Sequence, residues 1–564
     1  MVSRAPRALQ IALSVAALAL LGAGAWLRAI TAPWHTNVWA IDWLSYYAPQ
    51  ADALARGDVL GAYAWEGLHP PVSGLIHGAL MATGATLWMQ WAATVVAGLL
   101  AVVVLRRLFD GAGPADAGFF ALLVCWIALS PLQTNYGLNT SPYPWTLLFV
   151  AGSIAALVHA RAGRPTDGTE RREPTDPAHI WDNGSARWVL AALLTGLAVQ
   201  THVLALAVAA AQGAWLLLQG RALREEQTRG LAWWFGLVAL CCLPVLVVAV
   251  TRTADPWTFH VEASETPWWT TASMVFEHRF GERTSASALA LLLALGAAAS
   301  LVLAPRGPQG LLALCLVGWI AALAVFLELG VADPRLSHYF LVPQLLAFAL
   351  AAYGWRDLVW LAGEERWGRI GWRIVGLLAV VTAWWATDAV SWQLDRAQDA
   401  ASRMASSAPV ADAIQARIAG AQSGDVTAYL WDHRFLNDEP EHLDPIAARW
   451  PLDRIGPPCR DIELTRGLCT SADGATLVVD PAAWTGPLDE FEEPLRLLLN
   501  AASPPGSLTV FLLPAADAPP APWPTERWMA AHGGTREDLG HGVVAWVFPS
   551  GARAEEQPQP PVAP

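Results

Sequence analysis

Long apolar runs separated by short polar connections fill the first 390 residues of the chain. A helix needs about 20 mostly apolar residues to cross the hydrocarbon core of a bilayer. Nine runs approach that length, at residues 8–30, 84–105, 115–131, 143–160, 231–251, 286–304, 309–329, 339–355 and 371–390. We interpret the first run as an anchor, because the apolar part of a signal peptide has only about 7–15 residues.

A further apolar run, residues 188–219, is too long for one upright span and short for two. Arg187 precedes it and Arg221 with Arg224 follow it, which places both of its ends on one side of the membrane. We therefore predict two short helices that are broken near Gln200-Thr201-His202. The pattern then predicts eleven spans.

The arginines orient these spans. With the N-terminus in the cytoplasm, 17 of the 23 arginines before residue 391 fall on the cytoplasmic side and 6 on the other. This is the bias that the positive-inside rule describes. We therefore expect a multi-pass protein of the inner or plasma membrane of a bacterium, with a cytoplasmic N-terminus and an extracytoplasmic C-terminal region.

Residues 391–564 have another pattern. Residues 392–419 and 488–501 show helical spacing, and the last dozen residues, rich in Pro and Glu, are typical of disorder. Strand-like runs occur at Val426–Trp431, Ala475–Val479, Leu508–Leu513 and Val543–Phe548. We predict an α-helical membrane domain at 1–390 and an extracytoplasmic α/β domain at 391–564.

Composition and charge agree with this division. The chain is 54% hydrophobic with a mean hydropathy of +0.36, which excludes an ordinary soluble globule. Its net charge is −13, of which −1 falls before residue 391 and −12 after it. The acidic C-terminal region argues against nucleic acid as a partner and against docking on anionic lipid. Cys459 and Cys469 lie in this extracytoplasmic region, where a disulfide between them is expected.

The polar stretch from Ile41 to Val72 contains the strongest candidate chemistry. Asp42 follows the first span, Asp52, Asp58 and Glu66 lie within the loop, and His69-Pro70-Pro71 ends it. Carboxylates so close to membrane spans are costly to bury and tend to mark function. From position alone, Asp42 is either a general base or the cap of the helix that follows.

An aspartate after the first span, followed by Tyr46-Tyr47 and the His-Pro-Pro turn, resembles the first outer loop of the GT-C glycosyltransferases. The resemblance is to the branch of dolichyl-phosphate-mannose–protein mannosyltransferases and lipid A aminoarabinose transferases. It implies a polytopic GT-C fold, Asp42 as catalytic base and His69 in the active site. It also implies substrate contacts for Tyr46 and Asp58. By position alone Asp58 is interpreted first as a solvated loop residue, as are Asp52 and Glu66, and His69 is alternatively a turn residue fixed by two prolines.

A second stretch, Asp333 to Pro343, resembles the arginine-tyrosine segment that opens a late span in this family. The resemblance implies that Arg335, His338 and Tyr339 contact the donor phosphate. Here His338 stands where arginine is usual, and Arg335 lies one helical turn earlier. Arginine suits phosphate because it offers several donors and keeps its charge. The alternative is a snorkelling arginine paired with Asp333 or Glu328.

The chain departs from the family in the next outer loop, residues 131–145, which contains no carboxylate. Tyr143, with Asn139 nearby, stands where many relatives have a second acid. We therefore expect no essential metal or other cofactor, since hard cations require several oxygen ligands.

The resemblance implies transfer of a sugar from a polyprenyl-phosphate donor to an acceptor hydroxyl on a lipid, glycan or protein. Two other classes stay open from sequence. A polysaccharide polymerase or ligase would also face outward and use a late loop such as 252–285. A transporter or a non-enzymatic scaffold of envelope assembly would need neither Asp42 nor Arg335, and transporters often contain broken helices.

Overall fold

The computed structural model describes helices and strands in two compact units. The first unit comprises residues 1–32, 58–80 and 88–396, and the second comprises 33–57, 81–87 and 397–564. The described residues are 7–42, 54, 70–83, 87–109, 114–136, 142–162, 185–219, 221–251, 284–303, 307–328, 337–362, 368–418, 426–431, 461–463, 468–470, 476–479, 508–513, 529–540 and 543–549. The predicted boundary between residues 390 and 391 stays a prediction.

The first unit is built from helices. They are α1 (Arg7–Asp42), α2 (Val72–Ala82), α3 (Leu87–Leu105), α4 (Pro114–Ala128), α5 (Pro131–Tyr136), α6 (Pro142–Ala162), α7 (Ser185–Val199), α8 (Ala205–Leu218), α9 (Arg221–Thr251), α10 (Thr284–Leu303), α11 (Pro308–Glu328), α12 (Leu341–Ala362) and α13 (Gly368–Ile418). Short 3₁₀ turns follow α3 at Arg106–Phe109 and precede α12 at Ser337–Phe340. Four helices begin with proline, which has no N–H to leave unpaired at a first helical position.

Seven of the described helices are long and apolar enough to cross a membrane. They carry large exposed apolar side chains, such as Val302 and Trp372, which suit contact with lipid. Together they define a polytopic helical membrane protein. A described helix covers most of each predicted apolar run, and the break at Gln200–His202 is confirmed between α7 and α8. The number of crossings stays a prediction, because α4, α7 and α8 are short.

Helix α12 lies at the centre of this unit, since every residue from 339 to 355 is buried. It packs against α4, α10 and α11. At Gly354 the backbone of α10 comes so close that a side-chain methyl group would overlap the Gly296 carbonyl. A helix that is apolar all round is typical of such an enclosed position.

The second unit contains a seven-stranded mixed sheet. Its strands are β1 (Val426–Trp431), β2 (Asp461–Glu463), β3 (Leu468–Thr470), β4 (Thr476–Val479), β5 (Leu508–Leu513), β6 (Thr535–Gly540) and β7 (Val543–Phe548). They are ordered β2-β3-β4-β1-β5-β7-β6, with parallel pairs only in the central β4-β1-β5. Each of the four predicted strand runs forms a strand, and the predicted helix at 488–501 lies outside the described residues.

The first and last predicted apolar runs agree with the structure, but the helices that contain them are longer. The runs were predicted at residues 8–30 and 371–390, and the apolar spans are Leu9–Thr31 and Ile370–Asp395. Helix α1 continues past Pro33 to Asp42, and α13 continues to Ile418 over 51 residues and includes most of the stretch at 392–419 that shows helical spacing. Hydropathy marks where a helix stops being apolar, and no proline or glycine lies close enough after residue 390 to end α13 there.

Candidate functional site

The structure describes three of the predicted site residues, Asp42, His338 and Tyr339. His338 belongs to the 3₁₀ turn Ser337–Phe340, and Tyr339 beside it is buried. The remaining ones lie outside the described residues, and their roles stay predictions: Tyr46, Asp58, His69 and Arg335. Cys459 also lies outside, so the disulfide with Cys469, a residue of β3, stays a prediction.

Asp42 is the last residue of α1. The apolar span ends at Thr31, eleven residues before Asp42 in the sequence. The sequence pattern predicted an aspartate just past the span, and the role of Asp42 as a base stays a prediction.

Helix α2 begins directly after the His-Pro-Pro turn, and its N-terminus is held by the α7–α8 break. The backbone N–H of Val72 donates to the carbonyl oxygen of Gln200 at 3.0 Å. Pro70 and Pro71 are buried beside it. The turn that carries the first family resemblance is thereby attached to the broken helix pair.

His77 on α2 is fully buried between α3 and α6. The indole N–H of Trp145 donates to its Nε2 at 3.3 Å, so Nδ1 carries the proton and donates to Gln90 Oε1 at 3.2 Å. Burial lowers the pKa of His77 to about 4, and the hydrogen bond with Gln90 opposes this shift only in part. His77 is therefore neutral at pH 7, and its contacts attach α2 to the helices of the bundle.

The α7–α8 break is closed by polar contacts. The hydroxyls of Thr201 and Thr146 lie 3.0 Å apart, and Thr201 also donates to the carbonyl oxygen of Ala198. His202 is fully buried, and its Nδ1 accepts the backbone N–H of Leu204 at 3.1 Å. That bond assigns the proton of the neutral ring to Nε2. The break thus places a histidine inside the bundle, held by the backbone at the start of α8.

His202 lies in a cluster of buried rings, which we call the aromatic cluster: Tyr143, His202, Trp319 and Tyr339. The ring centre of His202 is 5.1 Å from that of Tyr143, 5.7 Å from Trp319 and 6.3 Å from Tyr339. Tyr143 and Tyr339 meet edge to face at 6.2 Å. The Trp319 indole donates to the carbonyl oxygen of Tyr339 at 3.0 Å, which fixes the 3₁₀ turn against α11.

These contacts bring distant parts of the sequence together. Val72, the residue after the His-Pro-Pro sequence, and Tyr339 of the Ser337–Phe340 turn are more than 260 residues apart, yet both contact the α7–α8 break. Sequence reasoning had noted Tyr143 as the residue replacing an acid and Gln200–His202 only as a helix break. It missed Trp319, because a tryptophan within an apolar run gives no separate signal. Within the described ranges, no group of three metal-binding side chains occurs.

Comparisons with known proteins gave no match among protein-family models and none among curated proteins. Solved structures do resemble the chain. ArnT from Cupriavidus metallidurans bound to undecaprenyl phosphate aligns with a TM-score of 0.49 and 13% identity, covering 98% of this chain and all of that chain. An oligosaccharyltransferase from Archaeoglobus fulgidus, tethered with an acceptor peptide, aligns with a TM-score of 0.43 and 13% identity over 76% of this chain.

The archaeal oligosaccharyltransferase AglB from Archaeoglobus fulgidus, in complex with an inhibitory peptide and a dolichol-phosphate, aligns with a TM-score of 0.40 and 14% identity over 68% of this chain. This chain spans 63% and 56% of the two oligosaccharyltransferase chains. With identities this low, we base the function on the residues of this chain.

Proposed function

We propose that the chain is a membrane glycosyltransferase that moves a sugar from a polyprenyl-phosphate-linked donor to an acceptor hydroxyl. One observation supports this above others. The two stretches that carry the family resemblance contact the same broken helix pair, the first through Val72 directly after the His-Pro-Pro sequence and the second through Tyr339. A transferase requires such a meeting, because its base, phosphate ligands and lipid groove must serve one reacting centre.

In the proposed reaction, the acceptor hydroxyl oxygen forms a bond to the anomeric carbon of the sugar. The bond between that carbon and the phosphate oxygen breaks, and polyprenyl phosphate leaves. Asp42 takes the hydroxyl proton as general base. Arg335, with His338 and Tyr339, binds the phosphate as its charge develops, while Tyr46, Asp58 and His69 position donor or acceptor.

The competing class is a transporter, because its substrate site is commonly formed by discontinuous helices. The α7–α8 pair is discontinuous, but its break is filled by contacts from this chain. Gln200, Thr201 and His202 bond or pack against α2, α6 and the Ser337–Phe340 turn. Such packing favours a rigid wall of a site over a moving gate.

The substitution Asp42→Asn tests the proposal. It should lower sugar transfer at least about 100-fold, the low end for general base catalysis, while polyprenyl phosphate still binds. Turnover of a lipid-linked sugar by purified protein gives the first quantity, and binding of undecaprenyl phosphate or dolichol-phosphate gives the second. Asp52→Asn, a carboxylate of the same loop, is the matched control and should transfer normally.

Two results would contradict the proposal. Near-normal transfer by Asp42→Asn would remove Asp42 as the base. If the wild-type protein consumes no polyprenyl-phosphate sugar, whatever acceptor is offered, the assignment as a glycosyltransferase fails, and vesicle uptake assays would then test the transporter class.

A further inference from the structure

Arg28 on α1 is a buried cation with no carboxylate partner among the described residues. Arg28 is only 2% exposed, and the helix around it is apolar. Nη1 donates to the carbonyl oxygens of Gly24 at 2.9 Å and Ala128 at 3.1 Å, and Nε has no partner. No described acid is within ion-pair distance of this guanidinium. A buried charge of this kind is costly unless an opposite charge reaches it.

A snorkelling arginine does not explain this geometry. Snorkelling carries the guanidinium to water along an apolar surface, and such a side chain is partly exposed. Arg28 is instead covered by protein, and its guanidinium lies against the end of α4 at Ala128. The carbonyls at a helix C-terminus offer partial negative charge, but they do not neutralise a full cation.

Other buried donors surround the same short segment, which connects α4 to α5 from Ala128 to Thr134. Ser130 donates to Gln344 Oε1 at 3.0 Å, and the Nε2 of Gln344 has no partner among the described residues. The hydroxyl of Thr134 is also fully buried, and it has no hydrogen-bond partner in the described part of the chain. Arg28 and Gln344 contact this segment and Thr134 belongs to it, and each has an N–H or O–H group without an acceptor among the described residues. The amide oxygen of Gln393, whose N–H₂ donates to the carbonyl oxygen of Leu129, also has no described partner.

This segment adjoins the predicted donor stretch. The Gln133 side-chain amide donates to the carbonyl oxygen of Leu341 at 3.0 Å, one residue after the Ser337–Phe340 turn. The aromatic cluster contacts that turn through Tyr339, and the Ala128–Thr134 segment contacts the residues after it. Direct hydrogen bonds therefore join the segment with the unpartnered donors to the residues that follow the turn.

We propose that Arg28, Gln344 and Thr134 form a binding site for a phosphate-type anion. A phosphate has several acceptor oxygens and carries negative charge. It could therefore accept hydrogen bonds from the Arg28 guanidinium, the Gln344 amide and the Thr134 hydroxyl and also neutralise the guanidinium. The anion is either the phosphate of a polyprenyl carrier or free phosphate. The first source rests on the proposed function, and these residues would then add to the contacts predicted for Arg335.

The experiment compares polyprenyl phosphate, the uncharged polyprenol and inorganic phosphate as ligands of the purified full chain. Wild-type protein should prefer the phosphate lipid over the alcohol. Arg28→Gln should reduce that preference at least about tenfold, as expected for a lost hydrogen bond to a charged group, and Arg28→Lys should restore part of it. If inorganic phosphate competes in the wild type and no longer does so in Arg28→Gln, while lipid binding is unchanged, the source is free phosphate.

Thr134→Val keeps the test decisive if Arg28→Gln fails to fold. Valine matches threonine in shape, and the lost hydroxyl has no partner in the structure, so a structural role predicts no loss of stability. A ligand role predicts a fall in phosphate preference of about two- to tenfold. Thr94→Val is the control, because that buried hydroxyl bonds only within its own helix to Trp91.

Unchanged binding of both phosphate ligands in Thr134→Val and in folded Arg28→Gln would overturn the site. Since the lipids carry no sugar, the result does not depend on transfer. Loss of transfer with intact phosphate preference would count against the proposed function and leave this site standing.

Discussion

The two ends of helix α12 differ in how the charged groups beside them are paired. At its C-terminal end, Arg356 pairs with Asp116 at 3.3 Å and with Asp357 at 2.8 Å. The same guanidinium lies 4.4 Å from the ring centre of Tyr353, and Gln309 donates to Asp357 at 2.8 Å. Each charge in this network has an opposite charge beside it.

At the other end of α12, Gln344 and Leu341 contact the α4–α5 connection, where Arg28 has no carboxylate within the described ranges. Paired charges rigidify a core, whereas an unpaired buried charge is costly. Every charge in the Arg356 network is paired, although the amide oxygen of Gln309 has no partner among the described residues. This network therefore acts as a structural clamp joining α4, α11 and α12. The cation at Arg28 has no such partner, and the proposed anion would supply one.

Breaking the Arg356 network should give the largest loss of stability. Arg356→Leu leaves Asp116 and Asp357 without their cation. Because these groups are partly exposed, the loss should lie between that of a surface pair and that of a buried one, about 2 kcal/mol. Thermal unfolding in detergent would measure it. Sugar transfer per folded molecule should not change.

The control for that loss is the double variant with Asp116→Asn, which removes one stranded charge and should recover part of the stability. Arg28→Gln should cost less than Arg356→Leu, about 1 kcal/mol, because it strands no carboxylate and loses only bonds to carbonyl oxygens. If Arg28→Gln proves the more damaging to stability, the contrast between the two ends is wrong.

The second prediction concerns Arg335 and the donor. Arg335→Ala should weaken use of the lipid-linked sugar by about 10- to 100-fold, the effect of losing hydrogen bonds to a charged phosphate. Arg335→Lys should recover donor use in part, since lysine keeps the positive charge but lacks the planar guanidinium that donates two parallel hydrogen bonds. The measurement is the dependence of transfer on donor concentration. An unchanged dependence in both variants would leave Arg335 as a snorkelling or ion-paired arginine.

Much of the helical architecture could be predicted from the sequence, and the reason is physical. Apolar runs that must fill a bilayer leave a strong signal, so the helices and the break at Gln200–His202 were found. The four strands of the C-terminal unit that were predicted from the sequence consist mainly of apolar residues, many of them β-branched. Strand β6, Thr535–Gly540, was missed because TREDLG has no apolar alternation and pairs only at the sheet edge.

The candidate site was less predictable, because its residues meet through contacts that no local pattern encodes. Tyr339 was predicted from its stretch, but its partners His202 and Trp319 come from other helices. Arg28 was read only as one arginine in the topology count. Its burial depends on α4 passing close to Gly24, where a side-chain methyl group would overlap Ala128, and a single helix does not reveal that approach.

The smallest predicted effect concerns pH and His77. Burial lowers the pKa of His77 to about 4 from an ordinary value near 6.5, so the unfolded chain binds a proton in this window and the folded chain does not. The stability that depends on neutral His77 is complete above about pH 6.5 and is lost as the pH falls toward 4. Between pH 7.5 and 5.5 the loss should be about 1 kcal/mol.

Thermal unfolding of the wild type and of His77→Gln across that range isolates this contribution, because other titrating groups are common to both proteins. Glutamine stays neutral, so its variant should be less stable at pH 7.5 and should lose less stability on acidification. The bonds from His77 to Gln90 and Trp145 attach α2, and with it the His-Pro-Pro turn, to α3 and α6. Acidification should therefore loosen the turn before the Arg356 network, and equal pH slopes in both proteins would show that His77 is already protonated or solvated.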